Sequence, residues 1–217
     1  IDICFIIRTY VGQAPKEEGG AGGPIARNID HMLASLFAQT SPNWHTVILN
    51  TDIDKEFKYM DALEERFGSD PRFTFVKHNI SLGKAAYEDK HHLVYQISDM
   101  GIAACPPSSR YFTATNGDNY YFPEMVEIVS KTINRDRVDV VSFGFFSRYA
   151  FQAHRNSPNE PNQLSCHNMM TMSSCIPNNA EYQQSDLGSM VYDLQRWRQE
   201  NLNYSDLHKI YPFPLWE

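Results

Sequence analysis

Four short polar segments of the sequence carry side chains suited to binding a ligand. They lie at residues 8–10 (RTY), 50–52 (NTD), 79–84 (NISLGK) and 116–119 (NGDN). Each of them follows a predicted strand, and ligands of open α/β sheets bind at the carboxyl ends of the strands. Two of the segments contain aspartate. Together they predict one polar binding edge.

The segment at 116–119 is the most informative of the four. Asp118 follows the small residue Gly117. A carboxylate in this setting suits a Mg²⁺ or Mn²⁺ ion shared with a diphosphate, because hard cations prefer oxygen ligands. The alternative is an ordinary β-turn without a ligand, which is a frequent use of Asn, Gly and Asp. The local sequence leaves both interpretations open.

Two common nucleotide-binding motifs are excluded by direct comparison. The glycines at positions 19, 20, 22 and 23 lie between the first strand and the first helix, but Ile25 breaks the G-x-G-x-x-G pattern. Gly83-Lys84 is followed by Ala85, so this pair does not complete a phosphate-binding loop. We interpret the glycine-rich stretch as a flexible insertion.

Alternating strands and helices must position the polar segments. Apolar runs predict strands at 2–7, 44–49, 73–76, 110–115, 138–146 and 187–192. Helical periodicity predicts helices at 25–38, 56–67, 84–104, from Pro123 onward and at 193–200. Repeated βα units of this kind predict an α/β fold with a mostly parallel central sheet flanked by helices. Residues 147–185 are rich in Asn, Ser, Pro and Gln and predict a long loop region.

Several motifs occur in the order found in one known family. Arg8-Thr9-Tyr10 ends the first strand, Asp52 follows the second, and Gly83-Lys84 precedes a long helix. Residues 116–123 (NGDNYYFP) place an Asp-x-Asp-like group before a helix-opening proline. In this order the motifs resemble those of the GT-A fold (Rossmann-like) of nucleotide-sugar glycosyltransferases, in particular glycosyltransferase family 2. The late strand at 187–192, followed by Arg196, is also similar to that family.

The resemblance implies a single domain, with a nucleotide-sugar half at 1–146 and a smaller acceptor-side half at 147–217. The nucleotide-sugar residues that it implies are Thr9, Tyr10, Asp52, Lys84, Asn116, Gly117 and Asp118. In this assignment Thr9 and Tyr10 line the nucleobase and the ribose, and Asp52 accepts from the uracil N–H. Lys84 faces the diphosphate, and Asp118 holds the Mn²⁺ or Mg²⁺ cofactor.

The sequence departs from the family pattern in places that concern catalysis. Asn116 replaces the first aspartate of Asp-x-Asp, so the metal would depend on Asp118 alone. The Glu-Asp pair that supplies the base in inverting members is absent, and Glu217 is either its remnant or a coincidence. Asp186, just before the late strand, is our candidate for the base that contacts the acceptor hydroxyl. Its structural alternative is a turn or helix cap.

The acceptor side is expected among residues 147–217, where aromatic and amide side chains suit a sugar. The available aromatic residues are Tyr149, Phe151, Trp197 and Trp216, together with His154. Burial of these aromatic side chains in the hydrophobic core is an equally good interpretation.

Composition excludes several classes of partner. The 217 residues carry a formal net charge of −7 and no basic run, which argues against a nucleic-acid-binding face. No stretch approaches the roughly 18 to 20 apolar residues that span a bilayer. Because the chain begins with Ile1, we expect it to be one module of a larger protein. A cytoplasmic location and the Golgi lumen both remain open.

The four cysteines are too few for a disulfide scaffold, and their spacing does not resemble a zinc site. Cys4, in an apolar strand, and Cys105, at the end of a helix, are expected to be buried thiols. Cys166 and Cys175 bracket a short segment and could pair in an oxidising compartment.

The sequence thus favours a metal-dependent glycosyltransferase that moves a hexose or deoxyhexose from a UDP-sugar to a saccharide or glycoprotein acceptor. One alternative is a nucleotidyltransferase that makes a nucleotide sugar. That class usually has a basic glycine-rich loop after the first strand, whereas the loop here is acidic. The other alternative is a catalytically inactive carbohydrate-binding domain, which Asn116 and the missing Glu-Asp pair support.

Overall fold

Two neighbouring strands of the sheet are fully buried. The strand β1 (Ile3–Thr9) and the strand β2 (Trp44–Asn50) are buried at every one of their seven positions. Both are apolar runs without alternation, the pattern of parallel strands that are covered on both faces. Burial of these two strands therefore fixes the middle of the fold.

The computed structural model describes residues 2–9, 24–50, 57–81, 87–117, 119–143 and 187–206. The remaining strands are β3 (Phe73–Val76), β4 (Tyr111–Asn116), β5 (Val140–Ser142) and β6 (Met190–Asp193). The helices are α1 (Pro24–Phe37), α2 (Phe57–Phe67), α3 (Tyr87–Ala104), α4 (Met125–Asp136) and α5 (Leu194–Gln199).

The strands are ordered β3-β2-β1-β4-β6-β5 in one sheet. The pairs β3–β2, β2–β1 and β1–β4 are parallel, whereas β6 is antiparallel to both of its neighbours. Thr9 is level with Asn50, and Arg8 is level with Asn116. The carboxyl ends of β1, β2 and β4 therefore meet at one edge, as the sequence predicted.

Helices cover both faces of the sheet, which confirms the predicted α/β architecture. Alternate residues of β1 point to opposite faces: Ile3, Phe5 and Ile7 pack in one apolar cluster, and Cys4 and Ile6 in the other. The first cluster contains the apolar face of α1 and the four buried residues of α4. The second contains apolar residues of α3 and α5.

The described segment 187–206 contributes one strand to the same sheet. Strand β6 inserts between β4 and β5, and Asp193 accepts two hydrogen bonds, of 3.0 and 2.8 Å, from the Arg110 guanidinium. Further along, the Asp99 carboxylate of α3 accepts from the backbone N–H groups of Tyr204 (2.7 Å) and Ser205 (3.0 Å). These contacts hold the described C-terminal segment beneath α3 and β4.

The pairing of Cys4 with Cys105 corrects one prediction. Both side chains are buried as predicted, but they form a disulfide and are not free thiols. The bond joins β1 to the residue that follows α3, with a Cα–Cα distance of 6.0 Å. Such bonds persist mainly in proteins that fold in an oxidising compartment.

Helix α3 also approaches β1 very closely at Gly101. A Cβ atom at this position would lie 2.3 Å from Ile6 Cγ2 and 3.0 Å from Leu49 Cδ1. Only glycine leaves room for this contact, because the side chains of the sheet already fill the space.

Among the described residues, no helix combines the length and the apolar character needed to cross a membrane.

We predict that the disulfide contributes substantially to stability. It joins residues that are 101 positions apart, so it restricts the unfolded chain strongly. The double variant Cys4→Ala/Cys105→Ala should lose about 2 to 5 kcal/mol of unfolding free energy in urea denaturation. Reductant should destabilise the unaltered protein more than this variant. Peptide mapping that finds Cys4 and Cys105 as free thiols would contradict the assignment.

Candidate functional site

The candidate site is the carboxyl edge of β1, β2 and β4. Of the predicted nucleotide-sugar residues, the structure describes Thr9, Asn116 and Gly117, and it brings all three together at this edge. Five predicted site residues lie outside the described residues: Tyr10, Asp52, Lys84, Asp118 and the proposed base Asp186. Their roles remain predictions.

The turn after β4 sits tightly against β1 and α1. The Gly117 N–H donates to the Arg8 carbonyl at 3.0 Å. A Cβ atom on Gly117 would lie 3.2 Å from Ile29 Cδ1, closer than most side chains pack, and 3.4 Å from Thr9 Cβ, an ordinary contact distance. A larger residue here would therefore need a small shift of Ile29. Thr9 is only 2% exposed and packs against the turn.

Arg8 is a buried cation directly beneath the edge. Its residue is only 8% exposed, which is unusual for a charged side chain. The Nη2 group donates to Asn116 Oδ1 at 3.0 Å, and the Nη1 group donates to Ser98 Oγ at 3.3 Å. Ser98 in turn donates to the Val94 carbonyl of α3 at 2.9 Å. The guanidinium thus connects the turn after β4 to α3.

This contact determines how Asn116 faces the ligand edge. A guanidinium has only donors, so the amide oxygen of Asn116 must be the atom that faces Arg8. The Nδ2 group of Asn116 therefore points away from Arg8. Because Asn116 is exposed, this group can donate to a ligand at the edge. Position 116 therefore offers a neutral hydrogen-bond donor to the edge, where an aspartate would offer a negatively charged acceptor.

The backbone on both sides of position 118 is held in place. The Asn119 N–H donates to the Asn116 carbonyl at 3.3 Å, the bond of a β-turn, and Asn119 Nδ2 donates to Thr115 Oγ1 at 2.6 Å. The turn that the sequence offered as an alternative is therefore present. A turn of this kind is equally compatible with a ligand at Asp118.

His78 secures the neighbouring segment after β3. Its Nδ1 atom accepts from the Ile80 N–H at 3.1 Å, and its Nε2 atom contacts the Asn50 carbonyl at the end of β2. These partners require the proton to be on Nε2.

The sequence analysis did not predict the roles of His78 and Arg8. The signal for Arg8 was present, because it is the only charged residue within the buried strand β1.

The charge of Arg8 also reaches Tyr204. Burial raises the pKa of the Tyr204 phenol well above its usual value, and the nearby positive charge of Arg8 partly opposes that shift.

Trp197, predicted as a candidate for the acceptor side, lies in the core instead. It is 9% exposed and packs edge-to-face on Phe112, with ring centroids 5.1 Å apart.

The described residues supply little of a metal site. They contain no group of three or more His, Cys, Asp or Glu side chains placed to hold an ion. The amide oxygen of Asn116, the atom that could coordinate a hard cation, already accepts from a guanidinium. A metal ion on the same oxygen would lie beside the positive charge of Arg8, so Asn116 is a poor metal ligand.

A cleft of about 480 Å³ opens at the opposite edge of the sheet. It is lined by Asp2, Pro42, Asn43, Trp44, His45, Pro71, Arg72, Pro106 and Ser108. Burial raises the pKa of Asp2 and lowers that of His45. The cleft lies at the amino ends of the strands, whereas ligands of such sheets bind at the carboxyl ends. We therefore assign the site to the carboxyl edge.

Comparison with solved structures identifies the fold. Staphylococcus aureus TarS superimposes with a TM-score of 0.61 and 11% identity, over 95% of this chain and 31% of that chain. TarS 1–349 in complex with UDP gives a TM-score of 0.57 and 12% identity, over 95% of this chain and 51% of that chain. No protein-family model and no curated protein matches the sequence.

These similarities confirm the predicted α/β GT-A fold. At such low identity they establish the fold alone. The chain spans between 31% and 51% of the length of these two structures.

We predict that Arg8 and Asn116 are energetically coupled. In a double-mutant cycle of Arg8→Met and Asn116→Ala, the coupling free energy in urea denaturation should be about 1 to 3 kcal/mol, because the hydrogen bond involves a charged donor. The control cycle pairs Arg8→Met with Asn119→Ala, whose side chain bonds to Thr115 instead. That cycle should be additive. Additivity in both cycles would show that the Arg8–Asn116 contact contributes no stability.

Proposed function

We propose that this chain is the nucleotide-sugar-binding domain of a glycosyltransferase. It would transfer a hexose or deoxyhexose from a UDP-sugar to a saccharide or glycoprotein acceptor. The observation that carries the proposal is the Arg8–Asn116 contact at the carboxyl edge, in a fold shared with a protein solved with UDP. It places a fixed positive charge and an exposed donor where ligands of this fold class bind.

The diphosphate of the donor would lie over the turn at 116–119. Its negative oxygens need donors and positive charge, and Asn116 Nδ2 offers the first while Arg8 supplies the second. Breaking the bond between the sugar and the diphosphate leaves further negative charge on the leaving group. A cation fixed in a buried site stabilises such charge more strongly than one in water.

Asp118 would supply a carboxylate to Mn²⁺ or Mg²⁺. When bound, such an ion helps to neutralise a leaving diphosphate. Compared with an Asp-x-Asp site, this turn has one negative charge fewer because of Asn116, and it has Arg8 nearby. We therefore expect diphosphate binding here to depend less on the metal than binding at a site with two aspartates.

Asp186 would act as the base toward the acceptor hydroxyl. Strand β6 pairs with β4 so that Asp193 is level with Tyr111 and Tyr192 with Phe112. Residues Leu187–Ser189 form a short 3₁₀ helix directly before β6. The Tyr121 hydroxyl donates to the Gly188 carbonyl at 2.7 Å, which anchors the chain two residues from Asp186. This anchor is the observation that supports the proposed role of Asp186.

We predict that UDP binds with and without a metal. In calorimetric titrations, UDP should bind in EDTA, and Mn²⁺ should tighten binding by about tenfold or less, since Arg8 supplies part of the charge. Asp118→Asn should abolish the Mn²⁺ effect and retain the binding seen in EDTA. Arg8→Lys should weaken that metal-free binding, because an ammonium cannot reproduce the forked contact with Asn116 and Ser98. No UDP binding under either condition would overturn the proposal.

A catalytic assay distinguishes an active glycosyltransferase from a catalytically inactive carbohydrate-binding domain. The second possibility was raised by Asn116. Hydrolysis and transfer would be measured over a panel of UDP-sugars and saccharide acceptors. Asp186→Asn should reduce transfer by about 100-fold or more and leave UDP binding unchanged. The matched control is Asp61→Asn on the exposed face of α2. UDP binding without any turnover would instead establish a non-catalytic domain.

A further inference from the structure

A buried hydroxyl group of α3 lies against the guanidinium of the candidate site. Ser98 is fully buried, and its Oγ atom accepts a hydrogen bond from Arg8 Nη1 at 3.3 Å. The Nη2 group of the same guanidinium donates to Asn116 Oδ1 at 3.0 Å. Arg8 therefore lies between Ser98 and the side chain that faces the ligand edge.

The hydroxyl group of Ser98 is fixed in its role as an acceptor. Its one proton is donated to the Val94 carbonyl, 2.9 Å away in the preceding turn of α3, a common arrangement for serine within a helix. A hydroxyl group that donates in this direction keeps its lone pairs for a neighbouring donor. The backbone of α3 thus directs the Ser98 oxygen toward Arg8.

The part of α3 that carries Ser98 is held in place on two sides. Three residues further along, α3 packs closely on β1 at Gly101. Asp99, the residue after Ser98, accepts from the backbone N–H groups of Tyr204 and Ser205, and also from Ser205 Oγ at 2.6 Å. The Ser98 oxygen is therefore presented from a helix turn whose position relative to β1 is fixed.

We propose that Ser98 is a positioning residue for the donor site, which sets the orientation of the Asn116 amide through Arg8. This inference rests on the proposed function and adds a residue that is buried and acts on the ligand only through the guanidinium. A planar guanidinium with acceptors on both Nη groups cannot rotate without losing one of these hydrogen bonds. Without the Ser98 oxygen it can pivot at Asn116, and ligand binding must then reorder both side chains.

Calorimetric titration with UDP in EDTA measures the consequence for the proposed site. Ser98→Ala should weaken UDP binding by about 5-fold, the size expected for the loss of one hydrogen bond. In the Arg8→Met background the same substitution should change the affinity by less than about twofold, because its effect passes through Arg8. The matched control is Ser35→Ala on α1. It removes another buried hydroxyl group that donates to a helix carbonyl, that of Met32 at 2.7 Å, and it should leave UDP affinity unchanged.

The side-chain amide signals of Asn116 in ¹H–¹⁵N NMR spectra test the positioning role without a ligand. Ser98→Ala should shift the two Asn116 Nδ2 proton signals, because the amide follows the released guanidinium. Ser35→Ala should leave these signals in place. Ser98→Ala introduced into Arg8→Met should also leave them where they are in Arg8→Met alone.

The two measurements separate this inference from the proposed function. Unchanged Asn116 signals in Ser98→Ala, or equal shifts in Ser98→Ala and Ser35→Ala, overturn the role of Ser98 whether or not UDP binds. An equally large loss of UDP affinity in the Arg8→Met background also overturns it, because Ser98 would then act by another route. Failure of the unaltered protein to bind UDP overturns the proposed function alone, since the Asn116 signals still decide whether Ser98 orients the amide.

Discussion

The organisation of the candidate site depends on the burial of one guanidinium. Arg8 lies at the carboxyl end of the central strand, and a charge in that position is tolerated only if its donors find partners. Asn116 and Ser98 provide them from β4 and α3. The close packing of α3 on β1 at Gly101 and the Cys4–Cys105 disulfide keep those elements at the required separation.

The same contact gives the edge its chemical character. It orients the Asn116 amide so that a donor is left for a ligand, and it replaces negative charge with a buried cation. A site of this kind suits a phosphate-bearing ligand more than a bare divalent ion. Gly117 lies close to Thr9 and Ile29 on the side of α1, while the Arg8 guanidinium reaches Asn116 and Ser98 on the side of α3. The proposed donor site and the packing of the sheet therefore share the same contacts.

The sequence predicted the secondary structure well because the relevant signals are local. Buried strands such as β1 appear as apolar runs, and α4 shows its helical period. Contacts between distant residues leave no such signal. The partner of Arg8 is 108 positions away and that of Cys4 is 101 positions away, so neither pairing was predicted. Trp197 was ambiguous for the same reason, because its burial depends on Phe112 and Tyr204.

The most direct test of the account is a crystal structure of the chain with UDP and Mn²⁺, with the metal located by anomalous scattering. We expect the diphosphate over the turn at 116–119, with Asn116 Nδ2 donating to a phosphate oxygen while Oδ1 remains on Arg8. A diphosphate bound in the cleft beside Trp44 and Arg72 would contradict the account. So would an Asn116 amide that has turned away from Arg8 to coordinate the metal through Oδ1.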